Sequence, residues 1–198
     1  MSSTVAPPSR IGSLVAPAAP PLVLTVLMWL SELVDTLLGG FLDQFGIQPR
    51  ETEGLIGVLA APLLHAGLGH LVANTTAFVV LGVLTALITG RFWAATVGIT
   101  VVAGLAVWLV GGEGTVHLGA SLLVYGYAAF LFAWGIFVRR ALAIAVSLFV
   151  ALAYGGIVWG VLPTGSGISW EGHLFGALAG VLLAYLLSRR ERRPLPRV

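Results

Sequence analysis

Two side chains capable of acyl-transfer chemistry lie about one turn inside separate, strongly apolar segments of the chain. They are Ser121 and His173. A hydroxyl or an imidazole at such a depth in lipid is costly to leave without a partner. An imidazole beside a serine hydroxyl can take its proton as the oxygen attacks a carbonyl carbon. The two residues therefore predict a nucleophile, Ser121, and its general base, His173.

Further polar side chains fit the same chemistry. His70 and Asn74 are four residues apart, so they share one face of a helix. From that face both can donate hydrogen bonds to a developing oxyanion. Tyr125 lies one turn beyond Ser121 and is placed to stack on His173.

Each of these residues also has a purely structural interpretation. A serine in a membrane helix commonly bonds its own i−4 carbonyl or lets two helices approach. An intramembrane histidine can instead make an interhelical hydrogen bond or relay protons. Because Glu171 points off the face that carries His173, we expect a Ser–His dyad without a carboxylate partner.

The composition places this chemistry in a membrane. Of the 198 residues, 58% are hydrophobic and 9% are charged, whereas a soluble domain is about a quarter charged. The absence of cysteine excludes disulfides, thiolate metal sites and cysteine nucleophiles. The basic residues lie mostly at segment ends, where membrane topology explains them, so no nucleic-acid partner is expected.

Windows of about 19 residues identify six segments that are apolar enough to cross a bilayer. They are Pro21–Leu38, His70–Thr89, Phe92–Val110, Leu118–Val138, Ala141–Val161 and Trp170–Ser188. We therefore predict an all-α membrane protein whose six-helix transmembrane bundle covers residues 21–189.

The segments outside the six helices are predicted from their composition. Residues 1–20 are rich in Pro, Ala and Ser, which predicts a disordered cytoplasmic tail, and residues 190–198 form a basic cytoplasmic tail. The stretch Gly39–Gly69 is too long for a turn. Its apolar part, Leu55–Leu64, favours a membrane-embedded loop between the first two helices over an ordinary extracytoplasmic loop.

The arginines predict the direction of the helices. If six spans alternate, Arg50 falls on one side of the membrane and every other arginine falls on the opposite side. The positive-inside rule then places both termini in the cytoplasm.

Alternation also explains how distant residues can meet. The second, fourth and sixth spans cross in the same direction, so their first turns lie in the same leaflet. His70 and Asn74 open the second span, Ser121 opens the fourth and His173 opens the sixth, which gives the four side chains a similar depth. Small residues at four-residue spacing favour close packing of the sixth span on the fourth: Gly172, Gly176 and Gly180.

Three motifs resemble those of the rhomboid intramembrane serine proteases of the bacterial, six-span type. They are HAGLGHLVANT, GASLLVYGY and SWEGHLFGALAG, and the resemblance covers about residues 21–189. It implies a six-helix rhomboid-like fold, with Gly119 and Tyr125 supporting the site and His65 in a structural role in the loop.

The resemblance also implies an activity. The family's nucleophile falls on Ser121 and its general base on His173, and its oxyanion stabilisers fall on His70 and Asn74, with the Ser121 N–H. Family members cleave transmembrane segments of other proteins near the outer leaflet, without a cofactor or a metal. Substrate is expected to enter sideways past the fifth span and the cap loop, about Ala151–Ser169. The implied setting is a bacterial plasma membrane, with transmembrane substrates and no prediction of oligomeric state.

One residue departs from the family pattern. The family usually has glycine directly after the nucleophile, and here that residue is Leu122. A bulky side chain at this position is expected to narrow the site, alter specificity or weaken activity. Catalysis is still expected, because Ser121 and His173 are both present.

Two alternatives remain open at this point. The first is a catalytically weak or inactive rhomboid-like protein that binds transmembrane helices. The second is a small transporter or channel in which Glu32 and Asp35 serve as ion ligands, although we expect these carboxylates to face the loop at the outer end of the first span. His117 is expected to be a loop residue at the membrane interface.

Overall fold

The computed structural model describes residues 10–163, 169–189 and 191. Its α-helices are α1 (Arg10–Leu37), α2 (Gly57–Ala60), α3 (Leu68–Thr89), α4 (Phe92–Val110), α5 (Ser121–Val138), α6 (Ala141–Tyr154) and α7 (Trp170–Ser188). A 3₁₀ segment, Gly155–Val161, extends α6, so six helical segments are long and apolar enough to cross a membrane. The chain is a multi-pass integral membrane protein, and the predicted all-α bundle with six membrane spans is confirmed.

The first helix begins earlier than predicted. It starts at Arg10, so residues 10–20, expected to be part of a disordered tail, are helical. Pro17, Pro20 and Pro21 lie inside this helix. Prolines are tolerated in membrane helices because neighbouring groups can satisfy the carbonyls that they free. Beyond the prolines, the Thr25 hydroxyl donates to its own i−4 carbonyl oxygen, that of Pro21, at 2.9 Å. Residues 1–9 of the predicted tail lie outside the described residues.

The segment between α1 and α3 is a chain of short helical turns. It contains three 3₁₀ segments, Phe41–Phe45, Glu53–Leu55 and Ala61–Leu63, together with α2. Its apolar side chains Ile56 and Leu59 are 59% and 66% exposed. Outward-facing apolar groups of this kind support the predicted contact of this loop with lipid, because water would not favour them.

Two side chains, Asp35 and Arg50, fix this loop to neighbouring helices. Asp35 accepts a hydrogen bond from the Leu42 N–H, which shows that this carboxylate faces the loop as predicted. The Arg50 guanidinium donates to the carbonyl oxygens of Leu109 and Gly111 at 3.2 and 2.9 Å, and it pairs with Glu113 at 3.2 Å. The loop is therefore fixed to the end of α4.

Helix α5 lies at the centre of the bundle and packs most extensively on α7. Glycines allow the two backbones to meet: a Cβ added at Gly176 would collide with the Leu122 carbonyl oxygen, and one at Gly180 with the Gly126 carbonyl oxygen. The glycine spacing thus predicted this contact correctly, since close approach of membrane helices requires small residues. By contrast, α6 packs mainly on α5 and exposes much of its surface.

Charged groups gather at the other end of the bundle. Glu191 accepts from Arg91 at 3.2 Å and from Arg140 at 3.3 Å. These arginines belong to the α3–α4 and α5–α6 connections, so one carboxylate joins two loops to the end of α7. Residues 190 and 192–198 of the predicted basic tail lie outside the described residues.

Candidate active site

The site is built around the turn that enters α5. Ser121 is the first residue of this helix and is half-buried. Because it is in the first turn, its N–H has no acceptor within the helix, and it lies at the positive end of the helix dipole. The predicted start of this span, Leu118, is three residues too early, because Gly119 turns the chain before the helix begins.

Gly119 allows the side chains of α3 to reach this turn. Its φ is +112°, a conformation that strongly favours glycine. A Cβ at this position would lie 2.8 Å from His70 Nε2 and 3.7 Å from Asn74 Nδ2. The predicted oxyanion stabilisers, His70 and Asn74, therefore lie against the backbone two residues before Ser121. Asn74 is buried, and its Nδ2 donates to the His70 carbonyl oxygen at 3.0 Å.

His173 is held from two directions. Its ring stacks on Tyr125, with 4.0 Å between centroids and 6° between planes, so the predicted stacking is present. Its Nδ1 is 2.9 Å from the carbonyl oxygen of Gly160. A carbonyl can only accept, so Nδ1 carries the proton and Nε2 of the neutral ring is left as a hydrogen-bond acceptor. The imidazole is thus oriented by a backbone group and an aromatic ring.

The Gly160 contact was missed by the sequence analysis. The sequence analysis predicted only the ring of Tyr125 as a neighbour of His173 and no carboxylate partner. Gly160 lies in the 3₁₀ segment after α6, and a Cβ there would collide with the Tyr125 hydroxyl. A backbone acceptor leaves no side-chain signal in a sequence, so no pattern identified it.

Ser121 and the residue before His173 line one small cavity, but Ser121 is not hydrogen-bonded to His173. Ser121 shares a cavity of about 10 Å³ with Gly172, the residue before His173. Across the described ranges, no hydrogen bond joins the Ser121 hydroxyl to the His173 ring. Catalytic hydrogen bonds are often long in ligand-free enzymes and tighten when substrate binds.

His65 has a structural position, as the resemblance implied. It is 1% exposed, and its Nε2 accepts a hydrogen bond from the Ala120 N–H at 3.3 Å. Its ring meets that of His70 edge-on, with 5.2 Å between centroids. Burial, reinforced by the neighbouring His70, lowers the pKa of His65 to about 4. The neutral ring therefore supports the backbone immediately before Ser121.

His117 lies in the loop before α5, as expected, but its side chain is buried. Its Nδ1 lies 2.6 Å from Ser169 Oγ, and its Nε2 lies 2.8 Å from Thr115 Oγ1. Burial lowers the pKa of His117, while the charge of Glu171 acts in the opposite direction. His117 also lines the small cavity beside Ser121. In the sequence, the one indication that His117 lies near the site was its position four residues before Ser121.

Leu122 lies inside the protein. Its side chain is 6% exposed, belongs to the main hydrophobic cluster, and also lines the small cavity beside Ser121. The leucine thus fills space that the family's usual glycine would leave empty behind the serine.

A larger cavity reaches the site from the lipid-facing side. It has a volume of about 420 Å³ and lies between α5, α6 and the 3₁₀ segment Gly155–Val161. Tyr125, which stacks on His173, forms part of its wall. The rest of the wall is almost entirely apolar, so the cavity is suited to an apolar chain.

Six apolar helices with a serine, two histidines and an asparagine at one end define a multi-pass membrane protein with a cluster of polar side chains at that end. The family model of the Rhomboid domain matches residues 52–190, and the chain therefore belongs to the rhomboid family.

Similar proteins occur in mycobacteria. The chain is 48% identical over 181 residues to an uncharacterized protein of Mycobacterium tuberculosis. The aligned region covers 87% of this chain and 75% of that protein. It is 44% identical to an uncharacterized protein of Mycobacterium leprae, over 87% of this chain and 72% of that protein.

Proposed function

We propose that this protein is an intramembrane serine endopeptidase that hydrolyses peptide bonds in or near transmembrane segments of other membrane proteins. The observation that carries the proposal is the orientation of His173. The Gly160 carbonyl oxygen holds the proton on Nδ1, so Nε2 is available to accept the proton of Ser121. No metal or cofactor takes part in the proposed chemistry.

The reaction proceeds by acyl transfer. Ser121 Oγ attacks the scissile carbonyl carbon while His173 Nε2 takes the hydroxyl proton. As the tetrahedral intermediate collapses, the C–N bond breaks and His173 returns the proton to the leaving amine. Water then attacks the acyl-serine with His173 as base, which releases the acid and restores Ser121.

The negative charge on the intermediate requires hydrogen-bond donors. The Ser121 N–H is free of a partner within its helix, and the imidazole of His70 and the amide of Asn74 lie against the adjacent Gly119. Donors fixed in advance near such an oxygen typically contribute 10²- to 10³-fold in rate each. We assign this role to all three groups.

Access from the lipid is proposed to follow the 420 Å³ cavity. Helix α6 packs mainly on α5 and exposes much of its surface, so its displacement would leave most of the bundle undisturbed. A transmembrane segment that enters there meets apolar walls and reaches Tyr125 and His173. This route agrees with the predicted entry past the fifth span.

We further propose a cellular orientation. The α3–α4 and α5–α6 connections carry Arg91, Arg139 and Arg140, which favours the cytoplasm for that end under the positive-inside rule. The site then faces the outer leaflet of a bacterial plasma membrane, and both termini are cytoplasmic.

The second candidate function is that of a catalytically weak or inactive rhomboid-like protein that binds transmembrane helices. Two observations favour it: Leu122 replaces the family's usual glycine, and no hydrogen bond links Ser121 to His173 among the residues that the structure describes.

A covalent probe separates the two functions. The purified protein should be labelled by a fluorophosphonate and should cleave a helical transmembrane peptide in detergent. Ser121→Ala should abolish both, whereas the control Ser31→Ala, which changes a serine on α1, should preserve both. Unlabelled wild-type protein that still binds the peptide would favour the inactive protein.

A further inference from the structure

His117 connects three parts of the chain. Its backbone pairs with Ile47 in an antiparallel bridge, with N–H to O distances of 2.8 and 2.9 Å in the two directions. Its ring bonds Ser169, directly before α7, and Thr115 in its own loop. The loop that follows α1 is therefore tied through His117 to the start of the helix that carries His173.

The hydrogen atoms of this network can be assigned from the oxygens involved. The Thr115 hydroxyl donates to the Gly112 carbonyl oxygen at 2.6 Å, so toward His117 it can only accept. His117 Nε2 therefore carries the proton and donates to Thr115. In the neutral ring Nδ1 is then an acceptor, and it receives the hydroxyl proton of Ser169 at 2.6 Å.

Ser169 in turn organises the first turn of α7. It is the N-cap residue, and its Oγ accepts a hydrogen bond from the Gly172 N–H at 3.2 Å. Its carbonyl oxygen accepts one from the His173 N–H, also at 3.2 Å. Capping bonds of this kind fix the start of a helix, where the first N–H groups otherwise lack partners. The chain His117–Ser169–Gly172 thus ends one residue from His173.

We propose that His117 is a positioning residue that sets the place of His173 through Ser169 and the N-terminus of α7. This inference rests on the proposed peptidase function, because the position of His173 matters most if His173 is the base. His117 acts through the helix and does not exchange protons with substrate. This positioning role explains how the imidazole of a dyad without a carboxylate is held in place. Gly160 and Tyr125 orient the His173 ring, and His117 fixes the backbone that carries it.

The test compares an apolar and a polar substitution of His117. His117→Phe keeps a buried ring but removes both hydrogen bonds, whereas His117→Asn keeps an acceptor close to the position of Nδ1. Loss of a helix cap predicts that the Gly172 and His173 amides exchange hydrogen about tenfold faster in His117→Phe than in wild type. His117→Asn should restore slow exchange, and Ser169→Ala should resemble His117→Phe.

Activity provides the second measurement. In His117→Phe, kcat for a transmembrane peptide should fall about tenfold or more with KM nearly unchanged, because a misplaced base slows the chemical step without removing substrate contacts. His117→Asn should recover most of the rate. Adding Ser169→Ala to His117→Phe should cost little more, since both act through one network.

Failure of this inference can be distinguished from failure of the proposed peptidase function. Amide exchange needs no activity, so the link from His117 to α7 can be measured even if wild type neither labels nor cleaves. Unchanged exchange at Gly172 and His173 in His117→Phe would overturn the inference, as would equal losses of rate in the phenylalanine and asparagine variants. Labelling of Ser169 by the probe in Ser121→Ala would also overturn it, because His117 would then act as a base itself.

Discussion

At the scale of single residues, the site depends on backbone groups as much as on side chains. A carbonyl oxygen from Gly160 selects the tautomer of His173, and the backbone N–H of Ala120 is supported by His65. The sequence was sufficient to predict which polar side chains gather at this end of the bundle, because a buried hydroxyl or imidazole is costly without a hydrogen-bond partner. The backbone partners could not be predicted, since every residue carries the same carbonyl and amide.

Gly119 lies so close to His70 that one added methyl group at Gly119 is expected to have a large effect on labelling by the probe. In Gly119→Ala the new Cβ would lie 2.6 Å from His70 Cε1, so the ring must move away from Ser121. We expect probe labelling to fall at least about tenfold, as for loss of an oxyanion donor. The matched control is Gly67→Ala, which also has a positive φ but has nothing within 4 Å of its added Cβ. Equal labelling of both variants would show that the His70 contact is unimportant.

The burial of His65 predicts that stability depends on pH. Its pKa is about 4 in the folded protein and near 6.5 when unfolded, so the unfolded state binds more protons between these values. The contribution of the neutral His65 ring to the free energy of unfolding is fully present above pH 6.5 and is lost as the pH falls toward 4. It amounts to on the order of 3 kcal/mol.

Thermal unfolding in detergent at a series of pH values measures this effect. His65→Gln keeps an acceptor for the Ala120 N–H but cannot titrate, so its stability should vary less between pH 6.5 and 4 than that of wild type. Parallel curves for the two proteins would assign the pH dependence to other groups.

At the scale of helices, the length of each hydrophobic segment predicted the bounds of most membrane spans. It did not predict how tightly each helix packs on its neighbours. Three spans have the predicted bounds, because charged or glycine-rich stretches of sequence end them sharply: Phe92–Val110, Ala141–Val161 and Trp170–Ser188. The start of α1 was wrong, since prolines that would break a soluble helix are accommodated here. The glycine spacing of α7 predicted contact with α5 but could not show that α6 would be packed so loosely.

The cavity beside α6 predicts that substrate entry can be blocked without damaging the catalytic residues. Ala151 lines the 420 Å³ cavity, whereas Ala153, two residues further along the same helix, does not. Ala151→Phe should fill the space and reduce cleavage of a transmembrane peptide about tenfold or more, by removing its binding position. Labelling by the small fluorophosphonate should remain within about twofold of wild type. Ala153→Phe is the control and should leave both reactions intact; equal loss of cleavage in both variants would reject this entry route.

At the scale of the whole molecule, the two ends of the bundle differ in chemistry. One end carries the candidate site and the Arg50–Glu113 pair, and the other carries the ion pairs of Glu191 with Arg91 and Arg140. Charge asymmetry along the sequence was enough to predict this separation, because topology depends on which loops hold the arginines. The network through Glu191 required the folded chain, since it joins groups that are far apart in sequence.

The absence of cysteine allows the orientation to be tested without background. Glu113→Cys places a thiol at the end that holds the site, on a side chain that is 84% exposed. Arg140→Cys places one at the opposite end, where the arginine side chain is 66% exposed. If the positive-inside rule holds, a membrane-impermeant maleimide should label only Glu113→Cys in intact cells, and permeabilisation should make Arg140→Cys reactive. The reverse pattern would place the dyad at the cytoplasmic face, and substrates would then have to be cleaved on the inner side of the membrane.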